Sequence, residues 1–488
     1  AAARPRRRPV LGRPRCGGVR RYFFGGGDVV AEEAPAQLAP PPSWGDLQQR
    51  LSDVTPPEEA ADLDATRAGR GRLRVDVSTK RLFDAGGDDE IRVLLYRDHA
   101  AWCPYCEKVQ LALEEKQVPY RIRKINMNCY GDKPLDFLAR NPMGLLPVAE
   151  IDGELITDSN SILDVVEETF RDKRPLVPPG REAEVRGLLQ LERMLFSVWF
   201  SWLRSQGPND ASLRGNFVKV LEEVERQLAV NEGPFFLGQE VTMPECHFAS
   251  FLERMAASLA YFKGFQMRRN EKFPRLEEWF VAMEARDSYR ALAGDFFTHA
   301  HDLPPQVGGC GFNLQNVDFK QTIDGGSWRL PLPVGEPPSP VEPLLLNTAA
   351  EAEAARREAA RKLISNRSAV AAFCLRGCGQ QGFPPVDAPL SDPRAQASDD
   401  PALRAAVDEG LRGVAAHLLS GSGEPIAAQA LGPAAYVRRQ DLVDCLGYLR
   451  DRVGVPRDVS FPAARQLRAH LGSYMEAADT AGRELAAA

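Results

Sequence analysis

Between residues 91 and 170 the apolar side chains switch from short runs to helical spacing and back. Ile91 to Tyr96 (IRVLLY) is a branched run of the kind that fills a buried strand. Val109, Leu111, Ala112 and Leu113 then stand among charged residues until Val118-Pro119 stops the pattern, which predicts a helix from about Pro104 to Lys116. PYRIRKIN (119–126) reads as a strand and KPLDFLARN (133–141) as a short helix. LLPVAEID (145–152) and GELITD (153–158) read as a hairpin turning at Asp152-Gly153. A helix beginning at Ser159 carries Ile162, Leu163, Val166 and Phe170 on one face. The order strand, helix, strand, helix, strand, strand, helix predicts an α/β unit with a mixed sheet flanked by helices.

Beyond residue 180 the period is helical. Leu195, Trp199, Trp202 and Leu203 line one face and are expected in a core. In VTMPECHF, Thr242 is placed as N-cap, Pro244 in the first turn, Glu245 three residues after the cap, and Val241 and Cys246 as a hydrophobic staple, with His247 a packed residue. A Gly- and Pro-rich connection with short strands around Phe319 to Leu332 is expected next, and His299 and His301 are read as surface residues. Helical segments follow from AAEAEAARREAARKLISNRSAVAAFCLRG onward, at about 402–420, 434–453 and 460–484. Cys374 and Cys378 are placed to face each other across a turn as a buried thiol pair.

A chain of 488 residues exceeds what one hydrophobic core serves, so several domains are expected: 90–172, 180–303, a linker 304–345 and a helical extension 346–488 of unassigned function. No apolar stretch is long enough for a membrane-spanning helix, and no membrane partner is expected. Residues 1–27 hold eight Arg and no acid, so against a whole-chain charge of −6 the remainder carries −14. An acidic body repels phosphate backbones, which argues against nucleic acid. The Arg-rich, acid-free start resembles an organellar transit segment, and residues 1–60 are set aside as a transit or disordered leader. A plastid is the expected location, with mitochondrion or cytoplasm as alternatives.

Nine cysteines in a chain of this size do not make a disulfide framework. Cys103 and Cys106, in AWCPYCEK, stand at a strand-to-helix junction. Pro104 suits the first helical turn and Cys103 the N-cap, where unpaired N–H groups and the helix dipole favour a thiolate, with a pKa of roughly 3.5–7.5. Cys103 is the expected nucleophile, and Cys106, one turn on, is placed to attack a disulfide at Cys103. Zinc is the competing reading, but there is no second CxxC and His99 has no partner His. No metal is expected.

CPYC (103–106), KPLDFLARNPMGLLPV (133–148) and TDSNSILDVVEE (157–168) together resemble the cysteine-bearing classes of the glutathione S-transferase superfamily: omega, lambda and dehydroascorbate reductase-like. The extended chain resembles the iota class more loosely. The resemblance implies a thioredoxin-like N-terminal domain, an all-α C-terminal domain and, here, a further mostly helical extension. It also implies a glutathione site in which Pro147 is cis and faces the active cysteine. Leu146 would offer its backbone to the cysteinyl part, Asp158 and Ser159 would hold the γ-glutamyl group, and Lys133 would face the glycyl carboxylate. With glutathione as co-substrate, the implied activity is thiol transfer through a mixed disulfide, acting on an oxidised or glutathionylated small molecule or protein by deglutathionylation or dehydroascorbate-type reduction. Cys106 departs from omega-like relatives and leaves the dithiol route open. A glutaredoxin-like iron–sulfur carrier and a non-catalytic glutathione-binding regulator are the alternatives, and a homodimer is left open.

Overall fold

The computed structural model describes residues 39–487 apart from 314, 316, 345–347 and 387. The arginine-rich start lies outside the described residues. Five strands form one mixed sheet: β1 (Lys80–Arg81), β2 (Val93–Asp98), β3 (Tyr120–Ile125), β4 (Val148–Ile151) and β5 (Glu154–Ile156), in the order β1-β3-β2-β4-β5. β2 and β3 are parallel and joined by the helix Pro104–Lys116, while β1, β4 and β5 pair antiparallel to their neighbours. The β4–β5 hairpin turns at Asp152 and Gly153, both with positive φ, as a two-residue turn requires. Period-two alternation divides β2 between two layers. Val93 and Leu95 face the main core, and Leu94 and Tyr96 pack with Ile125, Phe137 and Val148 on the other side.

The helix Pro104–Lys116 is covered along its length except at Tyr105, by the sheet, by the helix Ser159–Thr169 and by Met243–Lys263 of the helical bundle, so even Glu107, Lys108, Glu114 and Lys116 are buried. The bundle follows its sequence signals closely. Glu182–Arg204 turns Leu195, Trp199, Trp202 and Leu203 inward. Met243–Lys263 opens with the Thr242/Glu245 capping box, in which Glu245 also accepts the Phe236 N–H at 2.8 Å.

Three differences from expectation have physical causes. The segment around 319–332 is a short helix (Val317–Gln321) and a turn at Asp324-Gly325 rather than strands, because Gly325 takes φ +119° and Pro331 and Pro333 deny a ladder its donors. The helix Phe296–Val307 runs through Pro304 and Pro305 into the stretch read as linker, stopping at Gly308, which takes the left-handed conformation. Residues 44–67, which begin inside the segment set aside (1–60) and run past its end, form the helices Trp44–Val54 and Pro57–Arg67. Leu47 and Leu51 insert into the core of the extension, Trp44 donates to Asp408 at 2.7 Å, and Arg412 donates to the Pro41 and Pro42 carbonyls.

The extension itself is a helical cluster: Ala349–Ser365, Arg367–Cys374, Pro401–Leu419, Ala434–Val437, Arg439–Arg450 and Phe461–Ala487. Cys378 lies beside Cys445 of the helix Arg439–Arg450, where Gly377 lets the two backbones approach. Among the described residues no helix is long and apolar enough to cross a membrane.

Candidate active site

β2 ends at Asp98, and the wholly buried Asp98 carboxylate accepts the Trp102 N–H at 2.7 Å, folding the loop 99–102 back so that the next helix starts at Cys103. Cys103 has extended backbone and takes the N-cap position, with Pro104 in the first turn and the Cys106 and Glu107 N–H groups bonded to its carbonyl. Cys103 is 7% exposed and Cys106 only 1% exposed, so Cys103 is the outer sulfur of the pair. Burial, and then the neighbouring Cys103, push the Cys106 thiol well above the ordinary thiol range. Across from the helix start lies the cis Leu146-Pro147 bond, and the Cys103 thiol donates to the Leu146 carbonyl at 3.8 Å. Asn141 braces that loop by donating to the Leu145 carbonyl at 2.8 Å.

The other expected residues fall around this pair. Lys133 donates to the Asn126 carbonyl; burial lowers its pKa, while both thiols and Asp98, which act on it electrostatically, oppose that shift. Asp158 caps the helix Ser159–Thr169, and its Oδ1 accepts the N–H groups of Asn160 and Ser161 at 2.9 and 3.0 Å. Those N–H groups are therefore already used by Asp158 itself, which leaves its second carboxylate oxygen and the buried Ser159 hydroxyl as the polar features of this corner.

Sequence reasoning missed several contributors. Lys108 donates to Asn160 Oδ1 at 2.6 Å and so connects the Cys103 helix to the Asp158 helix. Burial lowers the Lys108 pKa to about 8, against the carboxylates of Glu192 and Asp158 and the sulfur of Cys103 that favour its charge. Tyr105, at the rim, meets Phe251 edge-on at 5.6 Å, and Arg193 lies over both Phe196 and Phe251, making an aromatic wall beside the thiols. Asp98 is the third member of a group whose carboxylate oxygen and two sulfurs lie within 4.8 Å of one another. It offers three donors, one fewer than a structural zinc site uses.

Behind the helix start is a buried charge cluster. Arg254 pairs with Glu107 and Glu253, each at 2.7 Å, and donates to the Trp102 carbonyl at 2.9 Å. One guanidinium serves two carboxyls. Burial, with the charge of Glu253, pushes Glu107 up to about 8, and burial pushes Glu253 up to about 7. His299, read from sequence as a surface residue, is buried 3.0 Å from Glu253, and burial beside Arg254 lowers its pKa to about 3. His301 Nε2 donates to Asp324 Oδ1 at 2.9 Å.

The extension reaches this loop directly. Trp102 Nε1 donates to the Val455 carbonyl at 2.9 Å, the Val455 N–H donates to Thr298 at 3.1 Å, and Arg457 lies over the Trp102 ring. Arg468 forms a buried ion pair with Asp295. Burial acts to raise the Asp295 pKa, but Arg468 and Thr298 reverse that and hold its carboxyl below the usual range.

A thiol at a helix start, facing a cis-proline loop on a mixed five-stranded sheet and backed by a helical bundle, defines a thioredoxin-like α/β unit joined to an all-α unit. Residues 102–169 match the glutathione S-transferase N-terminal domain and residues 192–292 the glutathione S-transferase C-terminal domain. The chain is 30% identical over 188 residues to a probable glutathione S-transferase DHAR1, cytosolic, of Oryza sativa subsp. japonica, covering 38% of this chain and 82% of that protein. Over 187 residues it is 29% identical to glutathione S-transferase DHAR2 of Arabidopsis thaliana, with the same shares of the two chains. The crystal structure of glutathione transferase Omega 3C from Trametes versicolor aligns at 25% identity over 41% of this chain and 89% of that one, with a TM-score of 0.37. The chain belongs to the glutathione S-transferase superfamily.

Proposed function

We propose that the protein is a glutathione-dependent thiol transferase acting through Cys103. The thiolate of Cys103 attacks the glutathionyl sulfur of a mixed disulfide R–S–SG, forming Cys103–S–SG and releasing R–S⁻, which takes up a proton. A second glutathione thiolate then attacks the glutathionyl sulfur of the adduct, forming oxidised glutathione and releasing the Cys103 thiolate. Dehydroascorbate-type reduction is the second transformation this site would serve. Bound glutathione would lie along the Leu146-Pro147 loop, with its glycyl carboxylate toward Lys133 and its γ-glutamyl group at Asp158 and Ser159. The relatives named DHAR support the reductase class.

The observation that carries this reading is the asymmetry of the pair. Cys103 is the outer sulfur at the helix start against Pro147, and Cys106 is sealed below it with its thiol shifted up. A thiol held protonated is a poor attacker at neutral pH, so clearance of the adduct by a second glutathione is favoured over resolution by Cys106. Mass spectrometry after treatment with oxidised glutathione tests this. One glutathionyl group on Cys103 is expected, persisting in Cys106→Ser and absent from Cys103→Ser. A Cys103–Cys106 bridge with no adduct would overturn the monothiol route.

A further inference from the structure

A cleft of about 450 Å³ lies between the thioredoxin-like unit and the extension. Asp76 and His99 contribute from one side, and residues 362–467 of the extension form the remainder. Its volume falls within the range of small-molecule sites. Leu363, Val370, Phe373, Leu449, Val453 and Leu467 make an apolar wall.

The charges around that wall are unequally matched. Lys362 is paired with Asp76, and Arg457 with Asp458. Arg376 and Arg452 also line the cleft, and among the described residues neither has a carboxylate partner. Arg376 sits over the Phe373 ring and donates to the Asp392 carbonyl; Arg452 sits 3.7 Å over the Tyr448 ring and donates to the Tyr448 carbonyl. Ring faces and backbone carbonyls fix these guanidinium groups without neutralising them. Among the described residues, the one lining carboxylate outside an ion pair, Asp392, accepts the Gly382 N–H at 3.4 Å through Oδ2. Three buried polar atoms of lining residues have no protein partner: His99 Nδ1, Asp392 Oδ1 and Arg452 Nε. Burial lowers the His99 pKa.

We propose that this cleft is a second ligand site, taking an organic anion with an apolar, ring-sized body whose acidic group meets Arg376 and Arg452. The apolar wall supplies binding area, and the two unneutralised guanidiniums select charge. The site is separate from the thiol chemistry and stands whether or not Cys103 carries out the reaction proposed above.

Two fluorescent naphthylamines test it on the full chain: 8-anilinonaphthalene-1-sulfonate and its neutral counterpart N-phenyl-1-naphthylamine. The sulfonate is expected to bind at least about tenfold more tightly than the neutral probe. Arg452→Gln should remove most of that preference, Val370→Trp should block both probes by filling the wall, and Arg193→Gln, at the aromatic wall beside Cys103, should leave sulfonate binding unchanged. Circular dichroism identifies any variant that fails to fold, and Arg452→Gln tests the charge requirement independently of Val370→Trp. Equal affinity for the two probes, or loss of sulfonate binding in Arg193→Gln with retention in Arg452→Gln, would overturn the proposal.

Discussion

Gly454 is the point at which the extension presses on the loop that leads into Cys103. Its backbone lies outside the left-handed region, so alanine suits the local conformation and any penalty is steric. A Cβ there would stand 2.4 Å from Trp102 Cζ2 and 3.2 Å from Cη2. Ordinary carbon contacts begin at roughly 3.5 Å, so the ring would have to retreat by about 1 Å. It has little room to do so. Trp102 is wholly buried, Tyr130 meets it edge-on at 5.1 Å, and its Nε1 is tied to the Val455 carbonyl at 2.9 Å. Overpacking of this kind costs about 1–3 kcal/mol. Gly454→Ala is therefore expected to lower the unfolding free energy measured in urea by that amount and, because Trp102 precedes Cys103, to slow glutathione exchange at Cys103. The decisive assay is a double-mutant cycle with Trp102→Leu, which removes the ring atoms concerned. In that background Gly454→Ala should cost under about 0.5 kcal/mol, leaving a coupling of about 1–3 kcal/mol. An equal cost in both backgrounds would refute the steric argument.

The thiol pair, the charge cluster and an exposed helix position each give a further test. With Cys106 buried and its thiol shifted up, iodoacetamide at neutral pH should label Cys103 and spare Cys106 in the native protein. Cys106 labelling should rise only at alkaline pH or in urea, and equal labelling by peptide mapping would refute this. Arg254→Met should cost about 3–5 kcal/mol by urea unfolding at pH 8, since Glu107 and Glu253 are left buried without their cation. The folded-state pKa values of these carboxyls, about 8 and about 7, are raised above their ordinary 4.5, so their favourable contribution is full below 4.5 and lost as pH rises to 8. The variant's deficit should accordingly shrink toward pH 5. Gly215→Ala, inside the helix Asp210–Leu228 with nothing within 4 Å of its Cβ, should raise stability by about 0.5–1 kcal/mol, measured the same way.

What the sequence disclosed and what it concealed divide by distance along the chain. The Cys103 helix start, the Asp152-Gly153 hairpin and the Thr242/Glu245 capping box each depend on residues within a few positions, where turn and cap rules operate. Nothing local shows that Glu107 and Lys108 are buried, because the helix that covers them, Met243–Lys263, lies far along the chain. His299 was misread for the same reason: its partner Glu253 lies on another helix. The Cys374/Cys378 pairing followed from helical spacing; the chain leaves the α-helix at Cys374, and both thiols act on Cys445 of the helix Arg439–Arg450, which no local pattern shows. Leu47 and Leu51 were set aside with a Pro-rich leader, although their partners are more than 300 residues downstream.

The manner in which the extension docks bears on what it is for. Hydrophobic contact is non-directional and tolerates sliding, whereas a hydrogen bond fails when its partners shift or tilt. At this junction the contacts next to the active loop are directional: Trp102 to Val455, Val455 to Thr298, Arg468 to Asp295, and Arg465 to the Ser327 carbonyl at 3.0 Å. They fix residues 453–457 relative to Trp102 within hydrogen-bond tolerance. Val453 and Arg457 of that same segment line the second cleft, and His99, on its opposite side, adjoins the Asp98 that holds the loop in place. A molecule that pushed Arg457 aside would therefore act on the ring packed beneath it, one residue from Cys103. The extension thus packs through the indole of Trp102 against the residue that precedes Cys103.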